Sequence, residues 1–291
     1  MSVIIKSNNI ATKSIETLKM SGTTAQLEFD KYKARVLADG GVIRDEQRTL
    51  RAFESLFNAK MYGNMNTFVS GSFGLKLINN KIEKAYSIDG FDLVAYRVGT
   101  GVAPIITDDN AIDFASNTSQ TTNAAFLTTE NKILLSKTTT FGMGVRLKRI
   151  TNDLNYLGSL GNHLSQTMTV PISSLLVRSG QTQFQIQKSP LSLTSYNAVD
   201  TAGLAYTLSA NNLITYLSEP SSAKVWGYRD GIEATSVNGV ATTELSSIPF
   251  YLDVGASYRT NDKQYFDGAF YDFISFNHAT REQALALSRF N

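Results

Sequence analysis

The period of the hydrophobic positions changes along the chain. Apolar side chains at spacings of three and four predict a helix over residues 45–62, because residues at these spacings share one helical face. These positions are Leu50, Phe53, Phe57 and Met61. Asp45 can cap the start of this helix and Gly63 can follow its end. From about Ser87 onward, a two-residue period indicates strands instead.

Apolar side chains at every second position predict many short strands in the back part of the chain. The runs are Phe141, Met143, Val145 and Leu147; Phe184 and Ile186; Phe250, Leu252 and Val254; and Phe270, Ile274 and Phe276. They are separated by the turn-forming pairs Asn238-Gly239, Asn261-Asp262 and Asp267-Gly268. The pattern favours a mainly β protein with an antiparallel jelly-roll β-sandwich. We expect Phe270, Ile274 and Phe276 to enter the core between its two sheets.

A short helix is predicted to begin at Thr280. Thr280 and Gln283 form a T-x-x-Q capping box, after which Ala284, Leu287 and Phe290 point one way. We expect this helix to lie across the sandwich and to cover an open edge.

The segment before the first predicted helix is polar at first and then contains two adjacent glycines. Residues 1–25 are either a frayed terminus or an extended arm that adds a strand to a neighbouring subunit. The apolar anchors of this segment include Ile4, Ile5 and Ile10. Gly40 and Gly41 favour a tight turn into the helix over a phosphate cradle, because no G-x-G-x-x-G or G-K-[ST] pattern is completed.

Length and composition suit a small module followed by a large β domain. The 291 residues exceed one ordinary domain, and 16 Phe and 13 Tyr favour strands. We divide the chain into an arm at 1–25, a small α+β module at 26–85 and the sandwich at 86–291. The formal charge of +2, with bases and acids interspersed, disfavours direct nucleic-acid binding. Without cysteine, a signal-like start or a long apolar stretch, we expect no disulfide, cleaved leader or membrane span.

Four segments of the back part occur in an order that resembles the concanavalin A-like (laminin G/pentraxin-like) lectin fold. In that family a middle strand is followed by a K-x-Y-x-x-G strand and turn, an I-G-x strand, an F-x-G-x-I strand and a short helix. The matching segments are 139–147, 224–231, 252–256 and 265–280, which together span about half of the chain. The resemblance implies a lectin-like sandwich that serves for attachment.

A second resemblance lies in the front part. The stretch Tyr32-Lys33-Ala34-Arg35-Val36-Leu37-Ala38-Asp39-Gly40-Gly41, together with Gly74–Ile78, is similar to a module of tailed-bacteriophage virion proteins. In those proteins an Arg-Val-x-x-x-Gly-Gly stretch precedes a lectin-like sandwich. The resemblance implies a virion protein, present in several copies, that docks on other virion proteins through its front part. The implied docking residues are Ile4, Ile5, Ile10, Arg35, Gly40 and Gly41.

The acids do not form the pattern of a glycoside hydrolase. Such enzymes place two carboxylates on one strand face, yet the one acid-x-acid pair is Glu28-Phe29-Asp30, which lies outside the sandwich. Asp267 and Asp272 are five positions apart and face opposite sides, so we interpret them as a turn acid and a surface or rim acid. Neither His163 nor His278 has the setting of a catalytic triad, and we interpret both as surface or capping residues.

Two further groups have both a functional and a structural interpretation. Trp226 and Tyr228 share a strand face and could stack on a sugar, although we favour core packing for both. The oxygens of Asp108, Asp109, Asn110 and Asp113 could bind calcium, but a solvated loop is the preferred interpretation because no EF-hand spacing is present. We therefore assign no metal and no cofactor.

Three functions follow from these patterns. The leading hypothesis is a non-enzymatic component of a phage particle, either a capsid decoration or a tail or baseplate protein, that displays a lectin-like sandwich. The alternative is a receptor-recognition protein that binds polysaccharide on the host surface. A glycosidase is the third, and the missing same-face acids count against it.

Overall fold

The computed structural model describes residues 24–114, 123–133, 140–151, 154–161, 173–187, 199–208, 212–219, 222, 224–238, 250–257 and 264–290. The predicted arm with Ile4, Ile5 and Ile10 lies outside these residues, apart from its last two positions. So do His163 and the predicted turn at Asn261-Asp262.

Two of the three described helices begin where their capping residues predict. The helices are α1 (Thr24–Ala38), α2 (Glu46–Asn58) and α3 (Arg281–Leu287). The side chain of Asp45 accepts a hydrogen bond from the Arg48 N–H at 2.8 Å, which satisfies a free donor in the first turn of α2. Thr280 and Gln283 form the reciprocal capping box at the start of α3. The predicted starts of α2 and α3 are confirmed.

Helix α1 was not predicted from the sequence, and it begins two residues inside the predicted arm. It buries four side chains at helical spacing, Ala25, Phe29, Tyr32 and Val36. At its end the Gly41 N–H donates to the Val36 oxygen and the Gly40 N–H to the Leu37 oxygen. This is the Schellman arrangement, in which Gly40 has a φ of +75°. The tight turn predicted at Gly40-Gly41 is therefore confirmed.

The described residues contain twenty strands. Those of the first 150 residues are β1 (Val42–Ile43), β2 (Met65–Ser70), β3 (Gly74–Ile78), β4 (Lys81–Ala85), β5 (Leu93–Val98), β6 (Ile105–Ile106), β7 (Ile112–Asp113), β8 (Ala124–Thr129) and β9 (Phe141–Ile150). The others are β10 (Leu154–Gly161), β11 (Ser173–Arg178), β12 (Gln181–Gln187), β13 (Val199–Ala205), β14 (Leu213–Glu219), β15 (Lys224–Arg229), β16 (Ile232–Asn238), β17 (Tyr251–Val254), β18 (Ala256–Ser257), β19 (Gln264–Tyr265) and β20 (Gly268–Asn277).

Eighteen of these strands form two antiparallel layers, and β18 pairs with β19 in a separate two-stranded sheet. The first layer runs β16-β15-β14-β9-β20, and both β2 and β7 pair with the far edge of β20. The second runs β13-β12-β11-β10-β17-β8-β5-β4-β3-β1. Strand β6 joins the layers because it pairs with both β4 and β7. The predicted fold class, a mainly β protein with an antiparallel sandwich, is confirmed.

Apolar side chains pack between the layers and also between the first layer and the helices. Phe270 and Phe273 lie in the core between the layers, as Phe270 was predicted to do. Ile274 and Phe276 instead pack on the opposite face, against the helices, so their predicted placement was wrong. The pairing of β20 with β9 is irregular around Phe270, which changes the face of the residues that follow.

Glycines in β9 make room for the side chains on this helix-covered face. Gly142 pairs with Phe276 and Gly144 with Ile274. A Cβ atom on Gly142 would lie 2.3 Å from the Phe276 ring, and one on Gly144 would lie 2.9 Å from the Ile274 side chain. The glycines that alternate with large residues in β9 therefore leave space for the large side chains of β20.

Helix α3 covers a sheet face. It packs on β14 and β15, and β14 lies inside the first layer between β9 and β15. Ala284, Leu287 and Phe290 are buried on this side, as predicted. The prediction that the helix covers an open edge was wrong, because a strand pattern does not reveal which part of a sheet stays uncovered.

The front and back parts of the chain share one sheet. Strand β2 pairs with β20 over its whole length, from Met65 opposite Phe276 to Ser70 opposite Asp272. The domain boundary at residues 85 and 86 stays a prediction. Within the described residues, none of the helices has the length and hydropathy needed to cross a membrane.

Candidate functional site

A cleft of about 400 Å³ opens between α1, the segment after α2 and the loop after β4. Buried side chains of Tyr32, Phe53 and Ile88 form its floor. Charged and polar side chains line its walls, namely Glu28, Lys31, Arg35, Tyr62 and Asp89. An apolar floor with a few converging polar groups is typical of a small-molecule site.

Tyr62 is the aromatic wall of the cleft and is partly exposed. Its ring stacks on Phe57, with the ring centres 4.5 Å apart. Its hydroxyl donates to Glu28 Oε2 at 2.8 Å, while Lys31 contacts Glu28 Oε1 at 2.6 Å. Burial, and then the bond to Glu28, raise the pKa of Tyr62. The hydrogen bonds from Lys31 and Tyr62 lower the pKa of Glu28, so this carboxyl stays ionised.

Asp89 also lines the cleft, in a different setting. Its Oδ2 accepts from the Gly63 N–H at 2.6 Å and from the Met65 N–H at 3.4 Å. Burial nevertheless raises the pKa of Asp89 above its ordinary value. The neighbouring Gly90 has a φ of +85°, and a Cβ atom there would lie 2.4 Å from the Asn66 oxygen. Glycine at this position therefore lets the loop lie close to β2.

Arg35, predicted as a docking residue, links α1 to the segment between β4 and β5. Its guanidinium donates to Asp92 Oδ2 at 2.5 Å and to the Ser87 oxygen at 2.9 Å. It also lies 5.4 Å from the ring centre of Tyr32 and 5.6 Å from that of Tyr86. These contacts give Arg35 an internal structural role. Its docking role stays a prediction.

Gly40 and Gly41 allow the end of α1 to pack closely against the strands beside it. Gly40 holds the left-handed conformation of the turn, and a Cβ atom on Gly41 would lie 2.6 Å from the Tyr86 ring. The Tyr86 hydroxyl donates to Asp39 at 2.7 Å, and Lys76 and Lys84 contact the same carboxylate. The stretch that resembles a virion module thus packs α1 against β3 and β4. Whether Gly40 and Gly41 also contact a partner stays a prediction.

Trp226 and Tyr228, the predicted aromatic pair, lie elsewhere. They are 7% and 1% exposed, and they pack beneath α3. The Arg281 guanidinium covers the Trp226 ring at 3.5 Å from its centre. This placement agrees with the core interpretation and leaves no open ring face for a sugar. Neither side chain lines the cleft.

The candidate catalytic acids lie in different parts of the structure. Asp272, interpreted as a surface or rim acid, is fully buried between Arg48 and Arg146, so that interpretation was wrong. Strand patterns predict which face a residue occupies but not what covers that face. Glu28 and Asp30, the acid-x-acid pair, lie on helix α1. Glu28 lines the cleft, whereas Asp30 is exposed.

Two of the candidate calcium ligands, Asp109 and Asp113, are bound to bases. Asp109 contacts Lys148 and accepts hydrogen bonds from Thr107 and Tyr271. Asp113 contacts Arg149 at 2.7 Å. Within the residues that the structure describes, no group of three or more His, Cys, Asp or Glu side chains is arranged to hold a metal ion.

No protein-family model matches the sequence, and no curated protein is significantly similar to it. Among solved structures, a leech intramolecular trans-sialidase is similar over 53% of this chain, with 14% identity and a TM-score of 0.41. This chain spans 24% of that protein. The CBM40 of the Ruminococcus gnavus IT-sialidase, bound to α2,3 sialyllactose, matches 52% of this chain and 82% of its own, with 14% identity and a TM-score of 0.40.

A third similar structure is the binding domain of botulinum neurotoxin DC in complex with rat synaptotagmin II. It matches 77% of this chain and 51% of its own, with 11% identity and a TM-score of 0.47. Likenesses this distant do not assign a function to this chain.

Proposed function

We propose that this chain is a non-catalytic carbohydrate-binding protein whose cleft holds a hydroxyl-rich saccharide. The observation that carries the proposal is the partly exposed Tyr62 ring, which stands beside ionisable side chains above an apolar floor. A sugar ring has an apolar C–H face and a rim of hydroxyl groups, so it needs both kinds of surface. An aromatic ring supplies a rigid apolar platform at a low entropy cost.

The walls of the cleft match the hydrogen bonding of hydroxyl groups. The Glu28 carboxylate has further lone pairs beyond those used by Lys31 and Tyr62, so it can accept from a hydroxyl. Lys31 is largely exposed and can donate to hydroxyl oxygens. Asp89 faces the same space from the loop after β4. Two acids and two bases line the cleft, which favours a neutral ligand over a charged one.

Titration of the full chain with neutral oligosaccharides from bacterial surface polymers tests this proposal. We expect Tyr62→Ala to weaken binding at least about tenfold, since it removes the platform. Tyr62→Phe should keep most of the affinity, because the ring remains. Tyr251→Ala is the matched control, since Tyr251 is also partly exposed but lies in the second layer. Equal losses in Tyr62→Ala and Tyr251→Ala, or no binding of any saccharide, would contradict the proposal.

Hydrolysis is the second candidate, and a specific observation favours it. Glu28 and Asp89 line one cleft, and their surroundings shift their pKa values in opposite directions. Such a divided pair is typical of acid/base catalysis. However, Glu28 is held by Lys31 and Tyr62, and Asp89 is held by main-chain N–H groups. Release of reducing sugar by the wild-type chain, lost in Asp89→Asn, would replace the binding proposal with this one.

We also propose that the protein is a component of a bacteriophage particle. The support is the similarity of residues 32–41 and 74–78 to a module of tailed-phage virion proteins. In this proposal the chain is present in several copies and displays its sandwich for attachment, as a capsid decoration or a tail or baseplate protein. The proposed contacts with other virion proteins are made by Ile4, Ile5, Ile10, Arg35, Gly40 and Gly41.

Electron microscopy of particles labelled with an antibody to this chain tests the virion proposal. We expect label at one repeated position on the head or tail. Particles that lack the chain altogether would contradict this proposal and leave the carbohydrate proposal standing.

A further inference from the structure

The central strand pair of the first layer is irregular on both strands at the same place. In β9 the register passes from Arg149 to Leu147, and in β20 it passes from Phe270 to Asp272. Lys148 and Tyr271 are therefore the residues without a pairing partner across this ladder. A bulge turns the side chain of its extra residue and disrupts the ladder, at a cost to the strand pair.

The two bulged residues meet outside the sheet. The Lys148 ammonium lies 6.0 Å from the centre of the Tyr271 ring. Both side chains contact Asp109, which accepts from the Tyr271 hydroxyl at 3.0 Å and forms an ion pair with Lys148. Lys148 and Tyr271 are both partly exposed, whereas Phe270 and Asp272 on either side of Tyr271 are buried. The irregularity thus places an aromatic ring at the surface of an otherwise buried strand.

The turn between β6 and β7 contacts the Tyr271 hydroxyl through Asp109, and it carries further polar groups. Asp109 and Asn110 are neighbours in the turn, and Asn110 has a φ of +62°. The Asn110 amide oxygen accepts from Arg44 Nε at 3.1 Å. Asp109 is held mainly by Lys148 and Thr107, and these contacts lower its pKa to about 2, so the carboxylate is charged at neutral pH. The Tyr271 hydroxyl therefore lies beside a carboxylate acceptor, and the Lys148 ammonium, a donor, contacts the same carboxylate.

We infer that Tyr271, Lys148, Asp109, Asn110 and Arg44 form a second saccharide-binding surface, separate from the cleft, that takes a neutral sugar ring on the face of Tyr271. The ring supplies the apolar platform, while Asp109 and Asn110 can accept from hydroxyls and Lys148 and Arg44 can donate to them. None of these five residues lines the cleft. The existence of this second surface can therefore be tested independently of the function proposed for the cleft.

The local charge favours a neutral ligand over an acidic one. Three bases, Arg44, Lys148 and Arg149, are accompanied by four acids. Asp109 pairs with Lys148, Asp113 and Asp267 pair with Arg149, and Asp108 precedes Asp109 in the turn. A carboxylate on the sugar would meet this acidic excess and lose affinity. Two separate surfaces on one chain would also strengthen attachment to a long polymer, because the second contact forms at a high effective concentration.

Backbone amide NMR of the full chain separates the two sites, since each has a local reporter. The Gly71 N–H donates to the Tyr271 oxygen, and the Gly63 N–H donates to Asp89 in the cleft. We expect a neutral oligosaccharide such as maltohexaose or cellohexaose to shift the Gly71 amide signal. A hexagalacturonate should shift it less at equal concentration.

Variants of Tyr271 distinguish a role in sugar binding from a purely structural role. Tyr271→Ala should weaken the response at Gly71 at least about tenfold, whereas Tyr271→Phe should retain it because the ring remains. If Tyr271 only holds the turn in place through its hydroxyl, both variants should lose the response at Gly71 equally. That result would overturn the proposal. Tyr251→Ala, a change at a partly exposed tyrosine outside both sites, should leave the response at Gly71 unchanged.

Each remaining outcome identifies which site fails. No shift at Gly71 with any oligosaccharide, while Gly63 responds, refutes the second surface and leaves the cleft intact. A response at Gly71 without one at Gly63 supports the second surface and refutes the cleft. Stronger binding of the hexagalacturonate than of the neutral hexamers would also overturn the inference.

Discussion

Replacing Asp272 with asparagine removes a negative charge that lies between two arginines in the interior. Asp272 Oδ2 is 3.2 Å from Arg146 Nε and 2.8 Å from an Arg48 terminal nitrogen. Asp272 and Arg146 are both fully buried. The Phe290 ring lies 5.2 Å from the Arg48 guanidinium and 5.4 Å from that of Arg146, and the Phe290 oxygen accepts from Arg146. The carboxylate therefore joins β20 to α2 and β9, and the two arginines link this cluster to the segment after α3.

The expected cost of this change is large for a single residue. Coulomb's law with an effective dielectric constant of about 20 gives roughly 5 kcal/mol for unit charges 3.2 Å apart. Removing one partner of a buried pair costs about 3–5 kcal/mol, because the remaining charge is left uncompensated. We expect Asp272→Asn to lower the free energy of unfolding by an amount in this range. Arg146→Met combined with Asp272→Asn should cost less than the sum of the two single changes.

Urea unfolding followed by circular dichroism and by fluorescence measures this cost, with coincident transitions as the check for two-state behaviour. The matched control is Glu233→Gln, which removes a carboxylate from an exposed pair with Arg281, 2.7 Å apart. This exposed pair should contribute no more than about 1 kcal/mol. Equal effects of Asp272→Asn and Glu233→Gln would refute the reasoning that burial makes the cluster important.

Three further changes have defined outcomes. Gly142→Ala should destabilise the chain by about 1–3 kcal/mol in urea unfolding, because its Cβ atom would lie 2.3 Å from the Phe276 ring, whereas Gly203→Ala meets a flexible side chain and should cost much less. Thr280→Ala removes a capping hydrogen bond and should cost about 1 kcal/mol, seen as a lower melting temperature. Burial raises the pKa of Asp89 above 3.8, so its contribution to stability falls as the pH rises from 3.8 through the folded-state pKa. Asp89→Asn should therefore gain stability relative to wild type above pH 3.8 and not below it, and a pH-independent gain in urea unfolding would contradict this assignment.

Local sequence signals predicted the features that depend on a few neighbouring residues. The capping box at Thr280 and the cap at Asp45 locate two helix starts, because each satisfies N–H groups within one turn. The Gly40-Gly41 turn was predicted for a similar reason. Helix α1 was not predicted, although Ala25, Phe29, Tyr32 and Val36 follow a helical spacing, because the two glycines that interrupt the apolar run after them favour a turn.

Features that depend on distant parts of the chain were not predictable from the pattern. The side chains of Ile274 and Phe276 changed face because of a bulge, which one strand's sequence does not reveal. The burial of Asp272 was not predictable, since its partner Arg146 is 126 positions away in the sequence and Arg48 is farther still. The cleft joins Glu28, Tyr62 and Asp89 from three separate segments. The Glu28-Phe29-Asp30 pair is visible in the sequence, but no sequence signal indicates which residues lie near Glu28.

A crystal structure of the full chain with the neutral oligosaccharide that binds most tightly tests the carbohydrate-binding account most directly. We predict an intact sugar ring against Tyr62, with hydroxyl groups within hydrogen-bond distance of Glu28 and Asp89. A vacant cleft with the sugar bound elsewhere, or a cleaved sugar in the cleft, would contradict it.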